Sequence, residues 1–314
     1  MIHHKQMKKI KKNYPLADET TFKIGGEAEL FAEVTNKKEL KEILKEANRQ
    51  SLPVTVLGGG SNVLIPSEGL DGLTIKIRDG RLGFLDEKNN LIQADAGVTL
   101  PMISRFALNH GFTGLEWAMG VPGTVGGAVY GNAGGFGQSI SDLVEEVEVM
   151  DGDKAKVLRR ESIDFGYRDS TFKSQNLTIL RVSLRLESDD KKEIKKRIDE
   201  YLKHRNESHP MDMPCAGSIF KNPNTKIEKE NLIEKYPELK IFNEKGVIPA
   251  GYLIEKTGLK GISVGGAQIS KKHANFIVNT GEATSEDVKG LIRKVKEEVF
   301  ERFNVGLERE IRFL

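Results

Sequence analysis

The chain has 314 residues, a net charge of +2 and one cysteine, Cys215, which is enough length for about two domains with real cores. The near-neutral balance excludes a polyanion held by bulk charge, and no run approaches the ~18 apolar residues of a membrane span. A lone cysteine excludes an internal disulfide or a multi-cysteine metal site and fits a reducing cytoplasm.

At the amino end Lys5, Lys8, Lys9, Lys11 and Lys12 cluster with no apolar h-region after them. No secretory signal is expected, and the stretch reads as a solvated, frayed start or a short helix. Residues 20–34, TTFKIGGEAELFAEV, alternate around Gly25-Gly26 and predict a strand with a tight turn. Asn36 predicts a helix start with Glu39 as its capping-box partner, and Leu40, Ile43, Leu44 and Ala47 form the apolar stripe. Strand, glycine loop and strand follow at 54–65, then a strand at Leu73–Ile77 and a hairpin punctuated by Asn89-Asn90. Thr99 caps a helix that takes Pro101 in its first turn and ends at Gly111.

The segment from Gly114 to Gly137, GLEWAMGVPGTVGGAVYGNAGGFG, is dense in glycine. Glycine loses more backbone freedom on folding than any other residue, so such density destabilises unless it is used. One use is to bring backbone N–H groups close to a ligand; the other is a set of tight turns at sheet corners. Pro122, Thr124, Asn132, Val121 and Val125 are interleaved, which argues against a loose linker. Upstream, Gly58-Gly59-Gly60-Ser61-Asn62 can form an anion-binding nest, with two side chains adding donors. It is not a Walker A loop, because no Gly-Lys-Ser/Thr follows, nor a Rossmann fingerprint, because the third glycine and the helix are missing. Two such loops suggest a pyrophosphate or dinucleotide held outside a Rossmann fold.

Val144–Met150 and Ala155–Leu158 flank Asp151-Gly152-Asp153, a hairpin signal, and Leu180, Val182, Leu184 and Leu186 alternate as a half-buried strand. Asp189–Asn206 predicts a helix with Ile194, Ile198, Tyr201 and Leu202 on one stripe, and the domain boundary is placed near it. Pro210, Pro214, Pro223 and Pro237 mark irregular backbone beyond. A short helix at Gly251–Thr257 stops at Gly258; Ile262–Ile269 and Asn275–Val278 read as strands. Thr284, with Asp287 three on, starts the last helix, and Leu307–Leu314 closes the chain as a strand. The class is α+β.

Few residues in this pattern carry chemistry. In Phe165-Gly166-Tyr167-Arg168-Asp169-Ser170 the arginine could fork onto a carboxylate or phosphate, or pair with Asp169. Ser218 sits in CAGSIFKNP without a Gly-x-Ser-x-Gly elbow, so a hydrolase serine is not expected, and Cys215 reads as a buried small hydrophobe. The six histidines lack metal-ligand spacing, so no metal is expected. On the last strand Leu307, Ile311 and Phe313 share one parity and Glu308, Glu310 and Arg312 the other; by pattern alone the charged face is a solvated edge.

Taken in order, TTFKIGG, VLGGGSNVLI, EWAMGVPGTVGGAVYGNAGGFG, FGYRDSTFK, CAGSIFKNP, AGYLIEKTGLKG, GGAQISKKHANFIVN and LEREIRF closely resemble the UDP-N-acetylenolpyruvoylglucosamine reductase family, flavoenzymes of bacterial peptidoglycan precursor synthesis. The resemblance runs from residue 20 to the carboxyl terminus. It implies an FAD-binding region of the vanillyl-alcohol-oxidase (PCMH) type over 1–190, with subdomains of about 1–78 and 79–190. An α+β substrate-binding domain over 191–314 follows, its terminal strand 307–314 reaching the active site.

The resemblance also implies a tightly held, non-covalent FAD on Gly58, Gly59, Gly60, Ser61, Asn62, Gly120, Pro122, Gly123, Thr124, Gly126, Gly127 and Ala128. NADPH is the implied reductant and UDP-N-acetylglucosamine-enolpyruvate the implied substrate, reduced to UDP-N-acetylmuramate. Hydride goes to C3, Arg168 stabilises the enolate, Ser218 protonates C2 and Glu310 assists, which reverses the edge-strand reading of Glu310. Tyr167, Lys221, Asn222, Lys260 and His273 match substrate-contacting positions. A cytoplasmic monomer without a nucleic-acid partner is implied. The run from Tyr167–Phe172 straight into the 180–186 strand resembles the shorter, type II branch. Segment 224–248 departs from that branch, leaving Phe242 and Tyr236 as alternatives for covering the uridine. Two rival readings are another FAD-dependent oxidase of the same fold and a nucleotide-binding module that has lost the chemistry.

Overall fold

A computed structural model describes residues 10–314; Lys5, Lys8 and Lys9 of the basic start lie outside the described residues. Lys11 and Lys12 belong to neither a frayed tail nor a helix. Lys11–Pro15 is a strand antiparallel to Glu27–Val34, with Tyr14 stacked on Phe31 at 3.9 Å between ring centroids. Aromatic burial there outweighs the local charge. The chain divides into two compact units: the first takes the stretch ending at Pro15, Glu27–Gly60 and Leu70–Arg205, and the second takes Leu16–Gly26, Ser61–Gly69 and Asn206–Leu314.

The first unit holds two larger sheets, of four and five strands. One runs in the order Lys11–Pro15, Glu27–Val34, Leu70–Ile77, Val54–Leu57, with the last two pairings parallel. Helix α1, Lys37–Arg49, is the crossover from Glu27–Val34 to Val54–Leu57, the two strands that flank Leu70–Ile77 in parallel. Asn36 caps α1 by accepting from Glu39 N at 3.0 Å. The Glu39 carboxylate reaches one residue further back than a capping box requires, to Thr35 N at 3.1 Å. The other sheet is antiparallel throughout: Lys154–Arg159, Val144–Asp151, Leu177–Arg185, Leu91–Asp95, Leu82–Asp86. Helix α2, Leu100–His110, starts on the Thr99 cap and stops at Gly111, whose left-handed φ of 73° favours a residue without a Cβ. Leu44, Ile75, Ile92, Val147, Val182 and Trp117 belong to one continuous buried core.

Inside the glycine-dense segment the chain forms a helix that its composition hides, α3, Val125–Gly131. Gly126 donates to Ala96 O at 2.9 Å, and a Cβ on it would stand 2.7 Å from Ala96 Cβ. Helix α4, Lys191–Ser208, buries Ile194 and Ile198 and is tied down by Arg197, which pairs with Glu116 at 2.9 Å and Asp189 at 2.5 Å.

The second unit is built on a sheet in the order Cys215–Ser218, Phe276–Asn279, Ala267–Ile269, Ser263–Val264. The single strand expected over 262–269 is a hairpin, because Gly265 at φ 50° turns the chain and a Cβ there would overlap the Asp287 carboxylate. Three short helices occupy 230–256: α5, Glu230–Lys235, α6, Leu239–Lys245, and α7, Ala250–Lys256. Tyr236 is part of the core and packs on Phe303, while Phe242 packs edge-on against Tyr252. Both rings of the 224–248 segment are thus taken up by packing. Helix α8, Ser285–Phe303, begins with a full Thr284/Asp287 capping box and lays Val288, Leu291, Ile292, Val295 and Val299 on the core.

The closing strand is shorter than expected. Only Arg312–Phe313 pairs as strand, parallel to Val63–Leu64. Upstream, Glu310 N bonds Ile219 O, while Arg312 N bonds Asn62 O and Leu314 N bonds Leu64 O. A backbone shared between two partners cannot keep one continuous ladder. Among the described residues no helix is long and apolar enough to cross a membrane.

Candidate active site

In the first unit the two glycine loops meet. A Cβ on Gly59 would lie 2.7 Å from Gly123 Cα, and one on Gly58 would overlap Thr124 Oγ1. Thr124 cannot swing aside freely, since its hydroxyl caps α3 by accepting from Gly127 N at 3.3 Å. These glycines therefore let two backbones touch, which the composition alone left open between ligand approach and tight turning. Gly123 O and Val125 N are consumed by Leu100 N and Val98 O. The amides of Gly59, Gly60 and Gly123 have no acceptor among the described residues. Adjacent unclaimed amides on a close-packed glycine backbone form a concavity for an anion, so this cradle fits the pyrophosphate of a dinucleotide. Gly126, Gly127 and Ala128 differ: their amides already bond Ala96 O, Thr124 Oγ1 and Thr124 O. Gly120 and Pro122 flank the cradle in the chain.

Arg168 sits on a two-residue turn between strands Phe165–Gly166 and Asp169–Ser170. Its φ of 54° is left-handed, a conformation that Cβ disfavours and that concentrates at functional sites. Asp169 is not its partner. The guanidinium rests on carbonyls of the glycine segment, Nη1 to Asn132 O at 3.4 Å and Nη2 to Gly134 O at 2.8 Å. Tyr167 is half exposed, with its ring 5.2 Å from that guanidinium.

A second arginine faces the same stretch. The Arg205 stem packs where a Gly120 Cβ would stand, 2.9 Å from its Cδ, and its Nη2 lies 3.5 Å from the position of a Gly135 Cβ. Phe136, at the tip of the glycine segment, stacks on Tyr201 at 3.9 Å. The Arg205 Nε–H is buried with no acceptor among the described residues. Burial, helped by the positive charge of Arg168, pushes its pKa down. A buried guanidinium Nε–H without a described acceptor, close to a second positive charge, suits an anion. Arg205 was not singled out from the sequence. Its spacing of three and four residues from Leu202 and Tyr201, on the apolar stripe, was the available signal.

In the second unit, strand Cys215–Ser218 carries a one-residue bulge, because Cys215 faces Val278 and Ser218 faces Phe276. Gly217 takes the extra place at φ 72°. A bulge re-aims the next side chain, and the Ser218 hydroxyl has no bond to another described residue. Ile219, next in the chain, accepts from Glu310 N at 2.8 Å, while Glu310 O accepts from Asn62 Nδ2 at 3.2 Å. Ser218 and Glu310 are therefore brought together, with Ser61 and Asn62 beside them: Ser61 O is 3.9 Å from the position of a Gly217 Cβ. Asn275 holds this corner by bonding both backbone groups of Phe220, at 3.0 and 2.8 Å. The Cys215 thiol is pushed up by burial, consistent with an unreactive side chain.

The other expected contact residues already have local partners. Lys221 pairs with Glu308 at 2.6 Å and Lys260 with Glu255 at 3.0 Å. Asn222 accepts from Ala250 N at 3.0 Å, capping α7 with its side-chain oxygen and leaving its NH₂ for other partners. His273 accepts from Asn275 N and stands beside the His209 and Phe276 rings. Among the described residues no group of three or more metal ligands is present.

Comparison with known proteins identifies the family and the fold. Residues 28–159 match a family described as FAD binding domain, and residues 209–314 match the family UDP-N-acetylenolpyruvoylglucosamine reductase, C-terminal domain. The chain is 40% identical over 309 residues to UDP-N-acetylenolpyruvoylglucosamine reductase of Synechococcus sp. (strain JA-3-3Ab), covering 98% of this chain and 91% of that protein. It is 37% identical over 306 residues to UDP-N-acetylenolpyruvoylglucosamine reductase 2 of Bacillus anthracis, covering 97% and 92%. The fold is similar to the crystal structure of the Thermus caldophilus UDP-N-acetylenolpyruvylglucosamine reductase, with a TM-score of 0.76, 34% identity and 97% of each chain covered.

Proposed function

The chain belongs to the UDP-N-acetylenolpyruvoylglucosamine reductase family, and from that premise we propose that it reduces UDP-N-acetylglucosamine-enolpyruvate to UDP-N-acetylmuramate, with NADPH as reductant, as a monomer in the cytoplasm. One observation carries the reading furthest: Ser218, re-aimed by a glycine bulge, is joined through Ile219 to Glu310. A hydroxyl without a partner among the described residues, beside a carboxylate-bearing residue, suits proton delivery.

The amides of Gly59, Gly60 and Gly123, with Ser61 and Asn62 following in the chain, would hold the pyrophosphate of FAD. When bound, FAD supplies the hydride for C3 of the enolpyruvyl group. Arg168 meets the negative charge that develops toward the substrate carboxylate, a fixed donor of the kind that contributes most to many catalysed reactions. Its two carbonyl contacts prevent it from following the ground state instead. Ser218 Oγ delivers its proton to C2. A serine hydroxyl is a weak acid in water, and Glu310 tunes and orients that proton transfer. Arg205 supplies the second positive charge for an anionic group of the nucleotide sugar. Tyr167, Lys221, Asn222, Lys260 and His273 serve as further substrate contacts, with Lys221 and Lys260 exchanging their glutamate partners for phosphate.

The visible spectrum of the purified protein, followed anaerobically, tests the whole scheme. A yellow protein bleached by NADPH and recoloured by UDP-N-acetylglucosamine-enolpyruvate is the expected result. Recolouring by oxygen alone would make it an oxidase of the same fold. A colourless protein that FAD cannot reconstitute would remove the basis for either.

A further inference from the structure

The turn that ends α3 contains a residue whose chemistry exceeds what the turn requires. Asn132 lies at φ 44°, closing α3 with its amide on Val129 O. Glycine is the least strained residue in that conformation, and glycines stand nearby at 131, 134 and 135. Asparagine nevertheless occupies the position, only 6% exposed, with its side-chain amide used at both ends. Nδ2 donates to Gly166 O at 2.7 Å, and Oδ1 accepts from Ser141 N at 3.3 Å.

Gly166 is two residues before Arg168, at the foot of the hairpin that carries it. The Asn132 carbonyl is itself one of the two acceptors under the Arg168 guanidinium. One residue therefore grips both the base and the tip of the arginine. Other bonds on the hairpin include Ser170 Oγ to Tyr130 O at 2.6 Å and Lys173 Nζ to Arg168 O at 2.5 Å. Neither of them touches the guanidinium. Because Arg168 is in a left-handed conformation that its own Cβ opposes, its pose depends on such ties.

We propose that Asn132 is a positioning residue for Arg168, setting the guanidinium through its side-chain bond to Gly166 and its own carbonyl. The inference rests on the role given to Arg168 above. It takes α3 to be a strut with the cofactor cradle at one end, at Thr124, and the arginine at the other.

A double-mutant cycle on the FAD-loaded enzyme tests it. Each protein is reduced with dithionite and mixed anaerobically with UDP-N-acetylglucosamine-enolpyruvate, and the return of flavin absorbance is timed. Asn132→Gly keeps the left-handed turn and removes the amide. Asn132→Asp keeps the shape and turns the Gly166 donor into an acceptor; it carries the cycle if the glycine variant does not fold. Either change should slow reoxidation by about 10- to 100-fold, the scale of a misplaced catalytic group, with FAD content unchanged. In an Arg168→Ala background the same change should cost less than about 3-fold, because the residue it acts through is gone. Equal loss in both backgrounds would reduce Asn132 to general structural support and overturn the proposal. So would an unchanged rate when Arg168 is present. If Arg168→Ala alone reoxidises at the full rate, the role of Arg168 fails first, and the proposal falls with it.

Discussion

Glu310 donates its amide to the carbonyl of Ile219 at 2.8 Å, so the residue after Ser218 and the penultimate stretch of the chain share one hydrogen bond. Ser218 and Glu310, the proposed proton donor and its carboxylate, are thereby held in a common frame, although 92 positions apart in sequence (310 minus 218).

Ser218→Ala should therefore separate the two half-reactions. Reduction by NADPH is expected to stay within about 3-fold of the unaltered enzyme, while reoxidation by the enolpyruvyl substrate slows by about 10²- to 10⁴-fold, the usual scale for a lost general acid. Anaerobic stopped-flow absorbance reads both. Equal loss in both steps would remove Ser218 from proton delivery.

Gly59→Ala should abolish retention of FAD without affecting distant packing. Its Cβ meets backbone, Gly123 Cα at 2.7 Å, and not a movable side chain. A stability loss of about 1–3 kcal/mol is expected from the overpacking, with flavin falling well below one per chain after gel filtration. Gly83→Ala, where a Cβ meets nothing within 4 Å, is the control and should retain flavin fully.

Arg205→Met should trade function for stability. The variant removes a buried Nε–H without a described acceptor and the repulsion with Arg168, while keeping an unbranched stem as far as the Nε position. Thermal unfolding should occur at an equal or higher temperature, and KM for the nucleotide sugar should rise by about 10-fold or more. A fall in stability with KM unchanged would make Arg205 a packing residue.

Acid sensitivity should trace in part to Glu116. Burial alone would raise its carboxyl pKa, but donors from Thr113, Arg197 and Gly114 outweigh it and hold the group below its ordinary 4.5. A carboxylate depressed in the folded state contributes stability above its unfolded pKa and loses it as pH falls through the folded value. Glu116→Gln should cost about 1–3 kcal/mol at neutral pH. The gap from the unaltered protein should narrow below about pH 4.5, measured by thermal unfolding across pH.

Local chemistry made much of the fold readable. Thr99 with Gly111, Asn36, and Thr284 with Asp287 announce helix ends through their own side chains, and the hairpins at 89–90 and 151–153 carry turn residues. Helix α3 was hidden because Gly126, Gly127 and Gly131 disfavour helix. It forms through contacts that no local pattern records: the Thr124 cap, the Asn132 turn and the seat on Ala96. The 262–269 run concealed its turn at Gly265-Gly266 for a similar reason, since what forces the chain round is Asp287, distant in sequence. Arg168 was legible only as an anion-binding candidate in a polar cluster, and Ser218 and Glu310 took a role only by resemblance, because a serine and a glutamate in polar surroundings have no spacing of their own. Asn132 was read only as a residue interleaved among glycines, and nothing in the order of letters distinguishes a left-handed asparagine from an ordinary loop amide.

The division of the chain has a consequence for biosynthesis. The second unit takes Phe22, Ile24 and Leu64 into its core from the amino-terminal third, and Val63–Leu64 pairs with Arg312–Phe313. That last pairing can close only after residues 312–313 have been synthesised, long after Val63–Leu64. The early segments must wait with apolar side chains uncovered while the first unit, whose residues end at Arg205, is free to fold during translation. A gene fragment beginning at residue 206 would lack two strips of its own interior, so this half of the molecule is not expected to be expressed alone in folded form.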